Sequence, residues 1–307
     1  MRQRNGGRLI VFGWHNVEPT WHFAPRRGSG PRGLAQQLRL LRKFTNVLPL
    51  ESALADLTAG RPLPPRAVAL TFDDGYRDNL TIAGPILRDL ELPATCFLVP
   101  GILSRTTRSW WEELAHAVAH ATVDEITWEG RPHPLRTTAE RRAALVPLGQ
   151  GLKDRDRSTR EAAVDEIVDL LAPRRRYHVD ETFMDWDEAG RLRDYMTIGS
   201  HSLHHAILAR EDDDAQKVDL RSARAQLQDR LGAEAAVLAY PNGAAGDYGT
   251  GTLEAAERAG HSHAVTTRPG LNKATTPRFE IRRIMMNPER GAVDLAKILR
   301  DTVIGDS

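Results

Sequence analysis

The stretch ALTFDDGYRDNL, Ala69–Leu80, decides how this chain is read. Its apolar lead extends back through RAVALTF (66–72), the pattern of a strand covered on both faces. The run ends in two adjacent carboxylates, Asp73 and Asp74, followed by Gly75. In α/β folds, ligands bind at the C-terminal ends of the strands. Neighbouring side chains on an extended segment point to opposite faces, so the two acids are expected to do different jobs: one as base, one as metal ligand. Alone, an Asp-Asp-Gly turn is better explained as a helix cap.

A second stretch changes that balance. TIGSHSLHHAIL (197–208) again carries an apolar strand into polar residues. His201 and His205 are four apart, so one helical turn would put both on one face. Two imidazoles and a remote carboxylate make a three-ligand site with positions left open, as catalytic zinc requires. Spacing alone leaves His204 as an alternative to His205.

Similar short apolar runs occur at 8–14, 94–100, 195–200, 235–240, 262–267 and 279–286. Helical patterns separate most of them, near 33–44, 77–90, 110–121, 186–194, 214–231 and 250–259. In the 214–231 pattern, an acidic start precedes Leu220, Ala223, Leu227 and Leu231, with Gly232 as a stop. Strands alternating with helices predict an α/β fold with a parallel sheet, about seven units closing into a barrel. Residues 121–182 break the rhythm. They carry little strand signal and two charged amphipathic helices, and are expected to be a helical insertion within a single domain spanning 1–307.

Composition narrows the function. The 307 residues are 41% hydrophobic and 27% charged, with a formal net charge of +1. No global field therefore argues for nucleic acid. The single cysteine, Cys96, lies in an apolar run and is expected to pack as a small hydrophobe. No apolar run is long enough to span a membrane, and the basic N-terminus lacks a secretory apolar region. A soluble, cytoplasmic protein is expected.

TFDDG followed by HSLHH resembles the NodB-type polysaccharide deacetylases, metal-dependent carbohydrate esterases on a deformed (β/α)7-type barrel. AYPNG (239–243), AVTTRPGLN (264–272) and SWWEELAHAV (109–118) extend the resemblance. It implies Asp73 as general base and Asp74, His201 and His205 as ligands of a divalent metal, usually zinc. It also implies that the backbone N–H of Asn242 stabilises the oxyanion. Two departures stand out. Many members carry an arginine where this chain has Ala239, and Arg283 is the candidate to orient the base instead. Many also supply the acid from a late histidine, absent from FEIRRIMMN. The early strand LIVFGWHNV (9–17) resembles a branch whose N-terminal aromatic–His pair supplies that acid, here His15.

Trp110 or Trp111 is expected to line a sugar groove, only one of the two facing the site, with Tyr240 shaping the pocket. Trp21 and His22 are further candidates for substrate contact. His261 and His263 are assigned no chemistry. The expected activity is removal of N-acetyl groups from an amino sugar carried on an intracellular glycan, glycolipid, nucleotide or secondary metabolite. Its rivals are an amidohydrolase acting on a non-sugar amide or cyclic imide, and a non-catalytic, metal-binding carbohydrate-binding protein.

Overall fold

A computed structural model of the chain describes residues 7–18, 30–286 and 292–300. Trp21 and His22 lie outside them. In chain order the elements are β1 (Leu9–Trp14), α1 (Gly30–Phe44), β2 (Asn46–Val47), α2 (Leu50–Thr58), β3 (Ala67–Asp74), α3 (Gly84–Asp89), β4 (Thr95–Leu98), α4 (Pro100–Leu103) and α5 (Trp110–Ala119). There follow β5 (Glu125–Trp128), β6 (Arg131–Pro134), α6 (Thr138–Lys153), α7 (Arg157–Leu171), α8 (Trp186–Leu192) and β7 (Thr197–Ser200). The chain continues with α9 (Asp213–Leu231), β8 (Val237–Ala239), α10 (Thr250–Arg258), β9 (His263–Val265), β10 (Arg283–Met285) and α11 (Ala292–Leu299).

The main sheet is parallel, in the order β10-β1-β3-β4-β7-β8-β9, with β2 a short branch on β3. Val265 bridges to Ile281, just before β10, which nearly closes the sheet into a barrel. Each of the seven apolar runs forms a strand of this sheet.

Period-two alternation sorts the side chains. Along β1 and β3, Ile10, Phe12, Trp14, Val68, Leu70 and Phe72 face outward into a cluster with Leu34, Leu38 and Leu41 of α1 and Leu87 of α3. Leu9, Val11, Ala67 and Ala69 join Phe97, Val237, Ala239 and Val265 in another cluster. The small residues of this second row make room for large ones. A Cβ at Gly199 would come within 2.4 Å of the Phe97 ring, and one at Gly13 within 2.5 Å of Met285 Sδ. Asp73 continues this row two residues beyond Thr71 and lies at the barrel's C-terminal mouth.

Residues 121–182 correct one expectation. They contain an antiparallel hairpin, β5–β6, besides the two helices α6 and α7. Proline and charged residues hide these strands in the sequence. The hairpin is made by a two-residue turn, Glu129 (φ 50°) and Gly130 (φ 72°), whose left-handed residues suit strand twist. It packs on α6 where Gly151 has no side chain; a Cβ there would meet the Trp128 ring at 2.8 Å. With α5, these elements form a separate apolar cluster around Trp110, Leu114, Trp128, Leu148 and Ile167. Among the described residues, no helix is long and apolar enough to cross a membrane.

Candidate active site

The strand ends open onto a cavity of about 380 Å³, lined among others by His15, Asp73, Asp74, His201, His205 and Asn242. Both acids line the same cavity, against the alternation expected of neighbouring residues. The reason is local: Asp74 (φ 73°) and Gly75 (φ 79°) are both left-handed, so the chain bends as the strand ends. For Asp74 that conformation is uncommon and costs energy, which its contacts must offset.

Asp73 is buried and gripped by Arg283, whose Nη1 and Nη2 donate to Oδ1 and Oδ2 at 2.7 and 2.9 Å. Arg283 is itself fully buried and donates from Nε to the Thr266 carbonyl at 2.9 Å. The planar fork suits a carboxylate better than an ammonium does. Burial raises the Asp73 pKa, but Arg283, then His201 and His15, outweigh it and hold the group below its usual value. Asp73 is therefore ionised at neutral pH. The Ala239 position stays small and apolar, and the guanidinium arrives from β10 instead of β8.

Asp74 Oδ1 lies 3.2 Å from His201 Nε2 and 3.1 Å from His205 Nε2. Despite these distances, this buried oxygen makes no hydrogen bond among the described residues. One ligand atom from each of the three residues lies within 4.8 Å of the others, the spacing of a cation site. His201 Nδ1 donates to the Ala239 carbonyl at 2.7 Å, which leaves the Nε2 lone pair available to a cation. The donor set, one carboxylate and two imidazoles, fits a divalent metal with open positions. Burial raises the Asp74 pKa, but the two histidines bring it well below the usual range. Burial lowers His205, with partial compensation by Asp74, whereas carboxylates overcome burial at His201 and raise it.

The histidines are not on a helical turn, as their spacing suggested. Residues 201–207 form an irregular loop with left-handed Ser202 (φ 62°) and His205 (φ 49°). Asp219 of α9 ties this loop down, accepting from Leu203 N at 2.7 Å and His204 N at 3.1 Å. Sequence reading missed Asp219. Its signal was an acid on the buried face of α9, beside Leu220 and four residues before Ala223. His204 turns to Thr107, with Nδ1 2.7 Å from Oγ1, so His205 completes the trio.

His15 lines the cavity beside Asp73, its Nε2 4.0 Å from Oδ2, beyond hydrogen-bond range. Its side chain is 44% exposed. The quoted stretch itself holds this segment. Asp78 Oδ2 accepts from Val17 N and Glu18 N at 2.7 and 2.8 Å, and Asn79 Nδ2 donates to the His15 carbonyl at 2.8 Å. Neither Asp78 nor Asn79 was singled out in the sequence, although both sit in the polar run that ends the decisive stretch.

Asn242 is left-handed (φ 59°), and its backbone N–H finds no acceptor among the described residues. Tyr240 forms wall only: it is fully buried, stacks on Tyr248 at 4.6 Å and donates its hydroxyl to the Phe279 carbonyl. Trp110 and Trp111 both line the cavity, against the expectation that one alone would do so. They pack edge to face, with Arg160 stacked over Trp110. Tyr76, Glu112 and Lys153 also line it and escaped the sequence reading. Cys96 is buried, as expected, and burial pushes its thiol pKa far up.

Comparison with known proteins agrees with this geometry. The polysaccharide deacetylase family profile matches residues 60–145 and 161–264. A segment of 90 residues is 37% identical to the poly-β-1,6-N-acetyl-D-glucosamine N-deacetylase of Escherichia coli K12, covering 28% of this chain and 13% of that protein. The fold is similar to that of the Streptococcus pyogenes deacetylase PplD, solved with acetate (TM-score 0.64, 16% identity, 95% and 98% of the two chains). It is also similar to the BpsB deacetylase domain of Bordetella bronchiseptica (TM-score 0.59, 18% identity, 92% and 97%). The match spans only 13% of the length of that curated relative, and the two solved structures show the fold alone. The family profile covers most of the barrel: the chain belongs to the polysaccharide deacetylase family.

Proposed function

We propose that the protein hydrolyses the N-acetyl amide of an amino sugar, with zinc held by Asp74, His201 and His205. The observation that carries this reading is the convergence of those three groups beside a carboxylate clamped by a buried arginine. Bound there, the metal would supply Lewis-acid polarisation of the acetyl carbonyl.

The chain's own residues divide the remaining work. Asp73, kept ionised and fixed by Arg283, takes a proton from the attacking water as its oxygen bonds to the acetyl carbon. The free N–H of Asn242 donates to the oxyanion that develops on the carbonyl oxygen. His15, whose Nε2 lies 4.0 Å from Asp73 Oδ2, gives a proton to the sugar nitrogen as the C–N bond breaks. Acetate and the free amine are the products.

The carrier of the sugar is an intracellular nucleotide or lipid in this reading, so the substrate brings phosphate. Lys153 supports it: the residue lines the cavity from the end of α6, and no ion pair holds it among the described residues.

The test is acetate release by the zinc-loaded protein across free, oligomeric, nucleotide-linked and lipid-linked N-acetylglucosamine, with cyclic imides as a control class. Chelator-sensitive acetate release is expected. Imide ring opening without acetate release would replace the sugar reading. Zinc binding with neither reaction would make the protein a binding module. Lys153→Met should raise KM several-fold for phosphate-bearing substrates and leave neutral ones unchanged; equal effects on both would remove the phosphate from the proposal.

A further inference from the structure

The two histidines of the trio are held by different means. His201 is fixed in the usual way, by a hydrogen bond from its second ring nitrogen to a backbone carbonyl. His205 Nδ1 is buried and has no hydrogen-bond partner among the described residues. Rotation of its ring would carry Nε2 away from Asp74, and no hydrogen bond at Nδ1 resists that rotation.

A packed ring does. Trp111 lies against His205 with centroids 4.2 Å apart and planes inclined by 39°. Trp111 is in turn tethered. Its indole Nε1–H donates to the Tyr76 hydroxyl at 2.9 Å, and that hydroxyl donates to Glu112 Oε1 at 2.8 Å. Phe183 closes the cluster, 4.5 Å from the Tyr76 ring and edge-on to Trp111 at 6.0 Å. We propose that Trp111, tethered through Tyr76 and Glu112, is a positioning residue for His205, replacing the missing hydrogen bond with a ring contact.

The tether makes the ring contact directional. The sequential neighbours Trp111 and Glu112 both meet the hydroxyl of Tyr76, two residues beyond Asp74. The segment that carries the carboxylate ligand thus also fixes the wall that holds the second histidine. One face of Trp111 is taken up by His205, so its main role is to set the ligand's angle rather than to offer that face to a sugar.

This inference rests on the metal-hydrolase reading, and its test separates the two. Zinc affinity is measured by chelator competition for the wild type, Trp111→Leu, Trp111→Phe, Tyr76→Phe and the double Trp111→Phe/Tyr76→Phe, with thermal melts of the metal-free proteins as folding controls. Trp111→Leu should weaken zinc by about 10–100-fold, the range for lost outer contacts to metal ligands. Trp111→Phe and Tyr76→Phe should each lose less, and the double should lose no more than the larger single, because both cut the same link. At saturating zinc, KM for the sugar should be unchanged.

Unchanged zinc affinity with a raised KM would make Trp111 a sugar platform and overturn the positioning role, leaving the function intact. A wild type that takes up no zinc would overturn both. Tyr76→Phe removes one oxygen and keeps the ring, so it decides the matter even where Trp111→Leu fails to fold.

Discussion

The cavity has two walls built on different principles. The strand-end wall, with Asp73, Asp74, Arg283 and His201, is held by hydrogen bonds to groups on other strands: Arg283 to Thr266 and Asp73, His201 to Ala239. The wall from α5 and α6, with Trp110, Trp111 and Lys153, leans on the separate apolar cluster of the hairpin and helices. The first wall concentrates charge in a buried place, where each group needs a specific partner. The second is mostly ring surface, where shape matters more than partner identity. The rigid wall carries the buried charges and the packed one the ring surface, with His205, which lies against Trp111, at the seam between them.

Substitutions can break that division, beginning with the largest effect. Asp73→Asn should lower acetate release by about 10²–10⁴-fold, the usual range for a general base, with zinc affinity unchanged. A parallel loss of zinc, measured by chelator competition, would mean that base and ligands act as one unit. His15→Ala should lower kcat by about 10²-fold while KM, zinc content and melting temperature stay near wild type. Lost zinc or near-normal turnover would remove the acid assignment.

Arg283→Met tests the rigid wall by stability. It strands a buried carboxylate and should cost about 3–5 kcal/mol in denaturant unfolding. Adding Asp73→Asn should recover much of that loss, because the uncompensated charge is gone. No recovery would mean that Arg283 acts mainly through its contacts with Thr266 and Phe97.

The smallest effect concerns pH. Burial raises the Asp78 carboxyl from 3.8 to about 6, against the hydrogen bonds it accepts from Glu18 and Val17. The folded state then holds this proton more tightly than the unfolded state does. The contribution of Asp78 to stability therefore declines as pH rises from 3.8 to about 6. Asp78→Asn keeps an acceptor oxygen and should flatten that decline in melting curves taken across this range. A variant with the wild-type slope would place the titration elsewhere.

Much of this was legible in the chain itself. Continuous apolar runs separated by amphipathic segments dictate a parallel α/β sheet, because strands covered on both faces carry no polar side. Asp73, Asp74, His201 and His205 stood out because polar residues at the ends of such runs have no packing reason to be there. The hairpin at 125–134 did not stand out, since its strands contain prolines and charges and its fit depends on the bare surface at Gly151.

Other features depend on contacts between residues far apart in the chain. Arg283 was a candidate to orient the base only through the family resemblance, since no local pattern says that it reaches Asp73, 210 positions away. Nor does one say that Asp219 holds the histidine loop. Alternation put Asp73 and Asp74 on opposite faces, and two left-handed residues overrode it. Periodicity put His201 and His205 on a helix, and an irregular loop brought them together instead. Sequence determines which groups need a partner or solvent, because the cost of burial is a property of the residue. Only the tertiary structure decides which of them meet, because a meeting depends on the backbone path between them.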